Sequence, residues 1–177
     1  MTQTEQSNQD LITIVLPVFG RPEFLPEALS SVQHQSRSSW QLLIADDGSD
    51  QTTQTLLLQW INRQSDDRIH WVKRPRNLGL FANLNRALHE MDSEWALLLC
   101  SDDRLHPHAV ETLHNCRMRW PEVGLILSTF DSINSDGSPR APDNAQHHDQ
   151  VSPCTALIQP EQFVPALLEH GSLNGNL

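Results

Sequence analysis

This sequence predicts an α/β fold: an open, mostly parallel sheet with helices on both faces. Three observations carry that expectation. Apolar strand-like runs alternate with amphipathic stretches, strand then helix, four times over before Val123. The strand-like runs are continuously apolar rather than alternating, as strands covered on both faces are. Strand–helix–strand crossovers of this kind are right-handed, which makes a doubly wound layer the natural closure.

The elements read in order as follows. Leu11–Val18, "LITIVLPV", is a buried strand ended by Pro17 and Gly20. Residues 21–35 place Phe24, Leu25, Ala28, Leu29 and Val32 at helical spacing, with Pro22 and Pro26 early, where a helix tolerates them. "WQLLIADDGSD" is a second strand running into a turn, and "QTTQTLLLQWINRQ" a helix carrying Leu56, Leu57, Trp60 and Ile61. A third strand centres on Ile69–Val72. The helix after it sets Leu80, Leu84, Ala87, Leu88 and Met91 on one side. "EWALLLC" is a fourth strand, read as central and buried on both faces, and "PHAVETLHNCRMRW" is a helix opening at Pro107. "VGLILSTF", Val123–Phe130, reads as a fifth strand.

From Asp131 to Pro153 the chain turns polar and rich in Ser, Asp, Asn and Pro, with a turn at "NSDG" and a long loop. A last helix is expected over Pro160–His170, capped by Gly171. The domain expectation is a disordered tail over residues 1–10, an α/β ligand-binding domain over 11–130, and the start of a further region over 131–177.

With 38% hydrophobic and 19% charged residues, the chain has the composition of an ordinary globular protein. A formal net charge of −10 argues against non-specific binding to nucleic acid or to an anionic membrane surface. Cys100, Cys116 and Cys154 show neither a disulfide framework nor zinc-ligand spacing, which favours a reducing, cytoplasmic setting. The polar "MTQTEQSNQD" lacks the basic and apolar regions of a signal peptide, and no run approaches the ~20 apolar residues of a membrane span.

Ligands of open parallel sheets bind outside the carboxyl ends of the strands. Four sets of residues therefore share one edge: Pro17, Phe19, Gly20 and Arg21; Asp46, Asp47, Gly48 and Ser49; Lys73, Arg74, Arg76, Asn77 and Gly79; and Ser101, Asp102 and Asp103. Four carboxylates at two strand ends repel one another unless a cation sits among them. Oxygen ligands without a His or Cys cluster favour Mg²⁺ or Mn²⁺, which take one or two carboxylates and fill their shell with phosphate and water. The basic "KRPR" beside them suits a phosphate-bearing ligand, so the set points to a nucleotide diphosphate. Taken singly, "DDGSD" is also what a turn with an Asp helix cap looks like, and "KRPR" what a solvated loop looks like. Their placement at one edge is what raises the functional reading. His147–His148 reads as solvated loop and Cys100 as an inert core thiol. No P-loop, no G-x-G-x-x-G after the first strand and no G-x-S-x-G elbow is present.

Together these stretches resemble the family 2 glycosyltransferases of the GT-A, Rossmann-like group, which use nucleotide-diphospho-sugars. "ITIVLPVFGRPEFLPEALSSVQHQS" is similar to their first strand and helix, "QLLIADDGSDQT" to their second-strand acidic motif, "VKRPRNLGLFANLNRAL" to their Asn-x-Gly segment, and "LLLCSDDRLHP" to their D-x-D-type metal motif. The resemblance runs in order from about Ile12 to Val123. It implies Phe19 and the Pro17 backbone beside the base, and Asp47, with Asp46 adjacent, accepting the imino hydrogen of a uracil or thymine. It implies Arg74 or Arg76, with Asn77 and Gly79, near the ribose and phosphates. Asp102 would lie on the ribose or sugar, and Asp103 on a Mn²⁺ or Mg²⁺ bridging the diphosphate. The implied reaction is inverting and metal-dependent, from a UDP- or dTDP-sugar to a glycan or lipid-linked acceptor in polysaccharide biosynthesis. The implied setting is the cytoplasm, including the inner face of its membrane. The carboxylate base of the family lies in an acidic motif beyond the metal site, and no acid from Asp131 onward sits in a recognisable one. The expectation is thus an N-terminal portion without its catalytic base. The alternatives are a nucleotidyltransferase, which would need a more glycine-rich and basic first loop than "PVFGRPEF", and a non-catalytic nucleotide-binding module.

Overall fold

A computed structural model of the chain describes residues 10–128 and 130–140. The described chain begins with β1 (Ile12–Val18), α1 (Leu25–Gln33), β2 (Trp40–Asp46) and α2 (Gln51–Gln64). It continues with β3 (Ile69–Lys73), α3 (Leu80–Glu90), β4 (Trp95–Leu98) and α4 (Ala109–Arg119). The four strands form one sheet in the order β3-β2-β1-β4, parallel throughout. Ile12 stands opposite both Trp40 and Trp95, and Leu42 opposite Ile69.

Period-two alternation along β1 and β2 sorts side chains between two layers. Ile12, Ile14, Leu16 and Val18, with Trp40, Leu42 and Ile44, pack against Leu25, Ala28, Leu29 and Val32 of α1, Leu57 of α2 and Val110 of α4. Val15, Leu43 and Ala45 face the other way and meet Ala87 of α3, with Leu84 and Met91 beside it. Helices therefore cover both faces, as expected, and β1 is buried along its whole length. Local signals set the helix ends. Pro26 falls in the first turn of α1, where its missing N–H leaves no bond unmade. The Asp50 side chain accepts the Thr53 N–H at 2.9 Å to cap α2, and those bonds hold its carboxyl below the usual range. Ser65, in the left-handed conformation, ends that helix.

The chain steps outward from β1 through β2 to β3, then crosses over by α3 to place β4 on the far side of β1. That reversal makes β1 and β4 neighbours and sets their carboxyl ends side by side.

Two expectations need correction. β4 is an edge strand among the described residues: Trp95, Leu97 and Leu98 are only half-buried, and full burial is reached at Leu99. An apolar run reports that a segment can be covered, and β4 has a described partner strand on one side alone. The fifth strand, Val123–Phe130, does not form among the described residues, and Leu125, Leu127 and Phe130 are exposed. A strand exists only as far as a neighbouring edge supplies hydrogen bonds, and no described strand supplies them here.

The chain divides into two compact units, one up to Asn115 and one from Cys116. In the second, the turn expected at "NSDG" is present. Ile133 bridges Pro139 in antiparallel fashion, and Asp136 Oδ1 accepts the Ser138 N–H at 2.9 Å. The tail before Asp10, the pair His147–His148, Cys154, the remainder of the polar loop and the helix expected over Pro160–His170 lie outside the described residues.

Ile44 is fully buried in the larger layer, whereas Leu58 is half exposed. Ile44→Ala is expected to lower unfolding free energy by about 2–5 kcal/mol and Leu58→Ala by about 0.5 kcal/mol or less, read from urea denaturation.

Candidate functional site

The loops after β1, β2, β3 and β4 meet at the carboxyl edge, held by polar contacts that begin in the strands. The Asp47 N–H donates to the Val18 carbonyl at 2.8 Å, tying the exits of β2 and β1, and the Arg74 N–H donates to the Asp46 carbonyl at 2.8 Å. Gly48 has φ +76° and lies so close to the third loop that a Cβ there would fall 2.8 Å from the Arg76 carbonyl carbon and 3.0 Å from the Asn77 nitrogen. Only glycine meets both demands.

The two acids at the end of β2 differ in how far they are occupied. Asp46 is fully buried; its Oδ1 accepts the Ser49 N–H at 2.8 Å, and its Oδ2 has no hydrogen-bond partner among the described residues. Asp47 is also buried, and each of its oxygens takes a backbone donor: Leu78 N–H at 2.8 Å and Gly79 N–H at 2.9 Å. Gly79 is the N-cap of α3, so the carboxylate also lies at the positive end of that helix. Each carboxylate oxygen keeps a second lone pair, so the clamp orients Asp47 without exhausting it. The Gly79 N–H is shared with Asn77 Oδ1 at 2.7 Å, and Asn77 and Gly79 are themselves exposed.

The sequence offered Arg74 or Arg76 for the phosphates. Arg74 is instead nearly buried and fully engaged. Its Nε donates to Asn83 Oδ1 at 3.0 Å, and Nη1 and Nη2 form a fork on the Glu90 carboxylate at 2.6 and 2.7 Å. The pairing raises the Arg74 pKa and lowers that of Glu90, each chiefly through this hydrogen bonding. Arg76, by contrast, is exposed on the loop. Asn83 completes the strut through its Nδ2, which donates to the Ala45 carbonyl at 2.7 Å. Sequence reasoning missed Asn83 and Glu90. The signal was there: Asn83 is a polar residue in the stripe that α3 buries with Ala87.

Pro17 is buried in β1, while Phe19, one residue past the strand, is 57% exposed. After β4 the Asp103 N–H donates to the Cys100 carbonyl at 3.1 Å, making a turn with Ser101 and Asp102 at its centre. Asp102 accepts from Arg21 of the first loop at 2.5 Å. The Asp103 carboxyl is raised, first by desolvation and then by the charge of Asp102. Asp47 is thus satisfied by backbone donors, Asp46 keeps one oxygen without a partner among the described residues, and the Asp102–Asp103 pair sets two acids against the single Arg21 guanidinium. Among the described residues no group of three or more His, Cys, Asp or Glu side chains is placed to hold a metal. The adjacent acid pair still fits a hard divalent ion, which needs one or two protein carboxylates and completes its shell from phosphate and water.

The sequence profile described as glycosyl transferase family 2 matches residues 13–165, well over half the chain. The chain belongs to glycosyl transferase family 2. The family 2 chain is 25% identical over 162 residues to TuaG of Bacillus subtilis strain 168, named for teichuronic acid biosynthesis. That match covers 86% of this chain and 63% of TuaG. Its fold is that of GT-A glycosyltransferases of known structure. It superposes on S. aureus TarS 1-349 in complex with UDP with a TM-score of 0.57 at 17% identity, covering 69% of this chain and 40% of TarS 1-349. The match to the mannosyltransferase PcManGT of Pyrobaculum calidifontis, in complex with GDP-Man and Mn²⁺, has a TM-score of 0.55 at 18% identity and covers 88% and 38% of the two chains. This chain therefore spans less than two thirds of each of these relatives. Among its described residues no helix is long and apolar enough to cross a membrane.

Gly48→Ala is expected to cost about 1–3 kcal/mol from backbone strain alone, with the collision against Arg76 and Asn77 added; thermal melting reads the loss. The Cys100 thiol is pushed up to about 11, by desolvation and then by Asp103 and Asp102. Its alkylation, followed by peptide mass spectrometry, should therefore be slow at pH 8 and accelerate only as pH approaches 11. A folded-state pKa raised in this way contributes stability in full below the unfolded value of about 8.5, and that contribution is lost as pH rises through 11.

Proposed function

We propose that this chain forms the nucleotide-sugar-binding part of an inverting, metal-dependent glycosyltransferase. It would serve transfer from a nucleotide-diphospho-sugar, UDP- or dTDP-linked by preference, to a glycan or lipid-linked acceptor at the cytoplasmic side of the cell. The observation that carries the reading is the acid pair Asp102–Asp103, set on a tight turn after β4 and faced from the loop after β1 by Arg21 alone, one positive charge against two acids. The UDP named with TarS and the GDP-Man and Mn²⁺ named with PcManGT support the ligand class.

In this reading the exposed Phe19 ring and the backbone at Pro17 bracket the base, and the spare lone pairs of Asp47 accept its imino hydrogen. Arg76, Asn77 and Gly79 line the ribose and phosphate side; Arg74 and Asp46 hold that loop and the β2 turn in place. Asp102 meets the ribose or sugar. Asp103 would hold Mn²⁺ or Mg²⁺, whose chemistry is Lewis-acid stabilisation of the leaving diphosphate. The acceptor hydroxyl attacks the anomeric carbon as the bond to the diphosphate breaks, and a carboxylate base takes its proton. That base is not assigned to a residue of this chain.

Calorimetric titration with UDP, dTDP and GDP, with and without Mn²⁺, tests the proposal. Binding of at least one nucleotide is expected to strengthen with Mn²⁺, and Asp103→Ala to weaken the Mn²⁺-dependent part by at least about tenfold, or 1.4 kcal/mol. Absence of metal-dependent binding to any of the three would overturn it.

A further inference from the structure

Arg21 adopts φ +51°, directly after Gly20 at +69°. A left-handed backbone is sterically disfavoured for a side chain of this size. What accompanies the strain is a reach across the sheet edge: Arg21 Nη1 donates to Asp102 Oδ2 at 2.5 Å, joining the loop after β1 to the turn after β4. The pair contrasts with the other arginine of the edge. Arg74 is sealed, with 6% of its side chain exposed, whereas Arg21 is 63% exposed and Asp102 34%. An ion pair this open is weak and easily exchanged.

The neighbouring charges give the exchange a direction. Asp102 and Asp103 are consecutive, and Arg21 brings one positive charge to two negative ones. A divalent cation brings two, but the Asp102 oxygen it would approach already holds a guanidinium. A guanidinium detached from a carboxylate at this edge is well matched to a phosphate, which it can grip through two parallel N–H donors.

We propose that the divalent cation held by Asp103 also takes Asp102 Oδ2, the other Asp102 oxygen being left for the ribose or sugar, so that Arg21 and the cation are alternative partners of Oδ2, and that Arg21, once displaced, grips the diphosphate of the incoming nucleotide. Arg21 is then a positioning residue that makes cation and nucleotide binding mutually reinforcing: the cation alone must displace Arg21 without recompense, while cation and diphosphate together leave every charge paired. The diphosphate half rests on the nucleotide-sugar reading; the exchange at Asp102 does not.

The test is Mn²⁺ binding to the 177-residue chain, read from the electron paramagnetic resonance of unbound Mn²⁺, with and without UDP. Wild type is compared with Arg21→Ala, Arg21→Gln and Arg21→Lys. With Mn²⁺ alone, R21A and R21Q are expected to bind about tenfold more tightly than wild type, and UDP to strengthen Mn²⁺ binding in wild type but scarcely in either variant. R21K, which keeps the charge without the fork, should fall between. Should R21A melt early, R21Q, which keeps most of the aliphatic stem, carries the comparison. Equal Mn²⁺ affinity in wild type and R21Q would overturn the exchange at Asp102. Undiminished UDP coupling in R21Q would overturn the diphosphate role. If wild type binds none of UDP, dTDP and GDP even with Mn²⁺, the nucleotide-sugar reading falls together with that role, and the Mn²⁺-alone comparison still decides the exchange.

Discussion

The ligand edge depends on the Asp47 carboxylate. One side chain at the end of β2 receives backbone N–H groups from Leu78 and Gly79, more than thirty residues further along. Gly79 is the N-cap of α3, so its N–H is one that no intrahelical carbonyl can satisfy, and Leu78 directly precedes it. The clamp therefore does three things: it satisfies a helix start, draws the third loop onto the second and fixes the orientation of a buried charge. Around it the contacts become exacting. Gly48 must be glycine because the clamp brings Arg76 and Asn77 against it, and Arg74 must reach Asn83 and Glu90 because its own loop is held down.

Parallel topology explains why so much polarity gathers in one place. Every strand of such a sheet ends at the same edge, so each exit loop brings its unsatisfied backbone groups and its acids there. Two solutions coexist. The exits of β2 and β3 are held internally, by backbone N–H groups and a forked guanidinium, with Asp46 Oδ2 the one carboxylate oxygen of Asp46 and Asp47 left without a partner among the described residues. The side chains at the exits of β1 and β4 are joined by the exposed Arg21–Asp102 pair. In the proposed reading the first half is scaffold and the second receives the ligand.

The layered fold was legible in the sequence because burial on both faces leaves a strong mark: β1 and β2 are apolar at every step, and α1 repeats its buried residues at helical spacing. The same rule misled at Leu97–Leu98 and over Val123–Phe130, since apolar composition does not state which neighbour will supply the hydrogen bonds. Position along the chain put the four exit loops at one edge of the sheet, which is where the parallel order places them. It could not tell Arg74 from Arg76, two residues apart with equal charge, because their difference lies in Asn83 and Glu90, which reach Arg74 only through the fold. Nor could it assign Arg21 a partner, since Asp102 lies 81 residues away.

The position of β4 at the margin of the described sheet has a consequence for motion. β1 is hydrogen-bonded on both sides and buried throughout, whereas among the described residues β4 pairs with β1 alone and is half-buried. Local opening therefore begins more easily in β4 than in β1. Phe19 thus extends from a rigid wall and Asp102 and Asp103 from a compliant one. Small displacements of β4 change the span between Phe19 and the Asp102–Asp103 turn while the core layers of β1 and β2 stay closed.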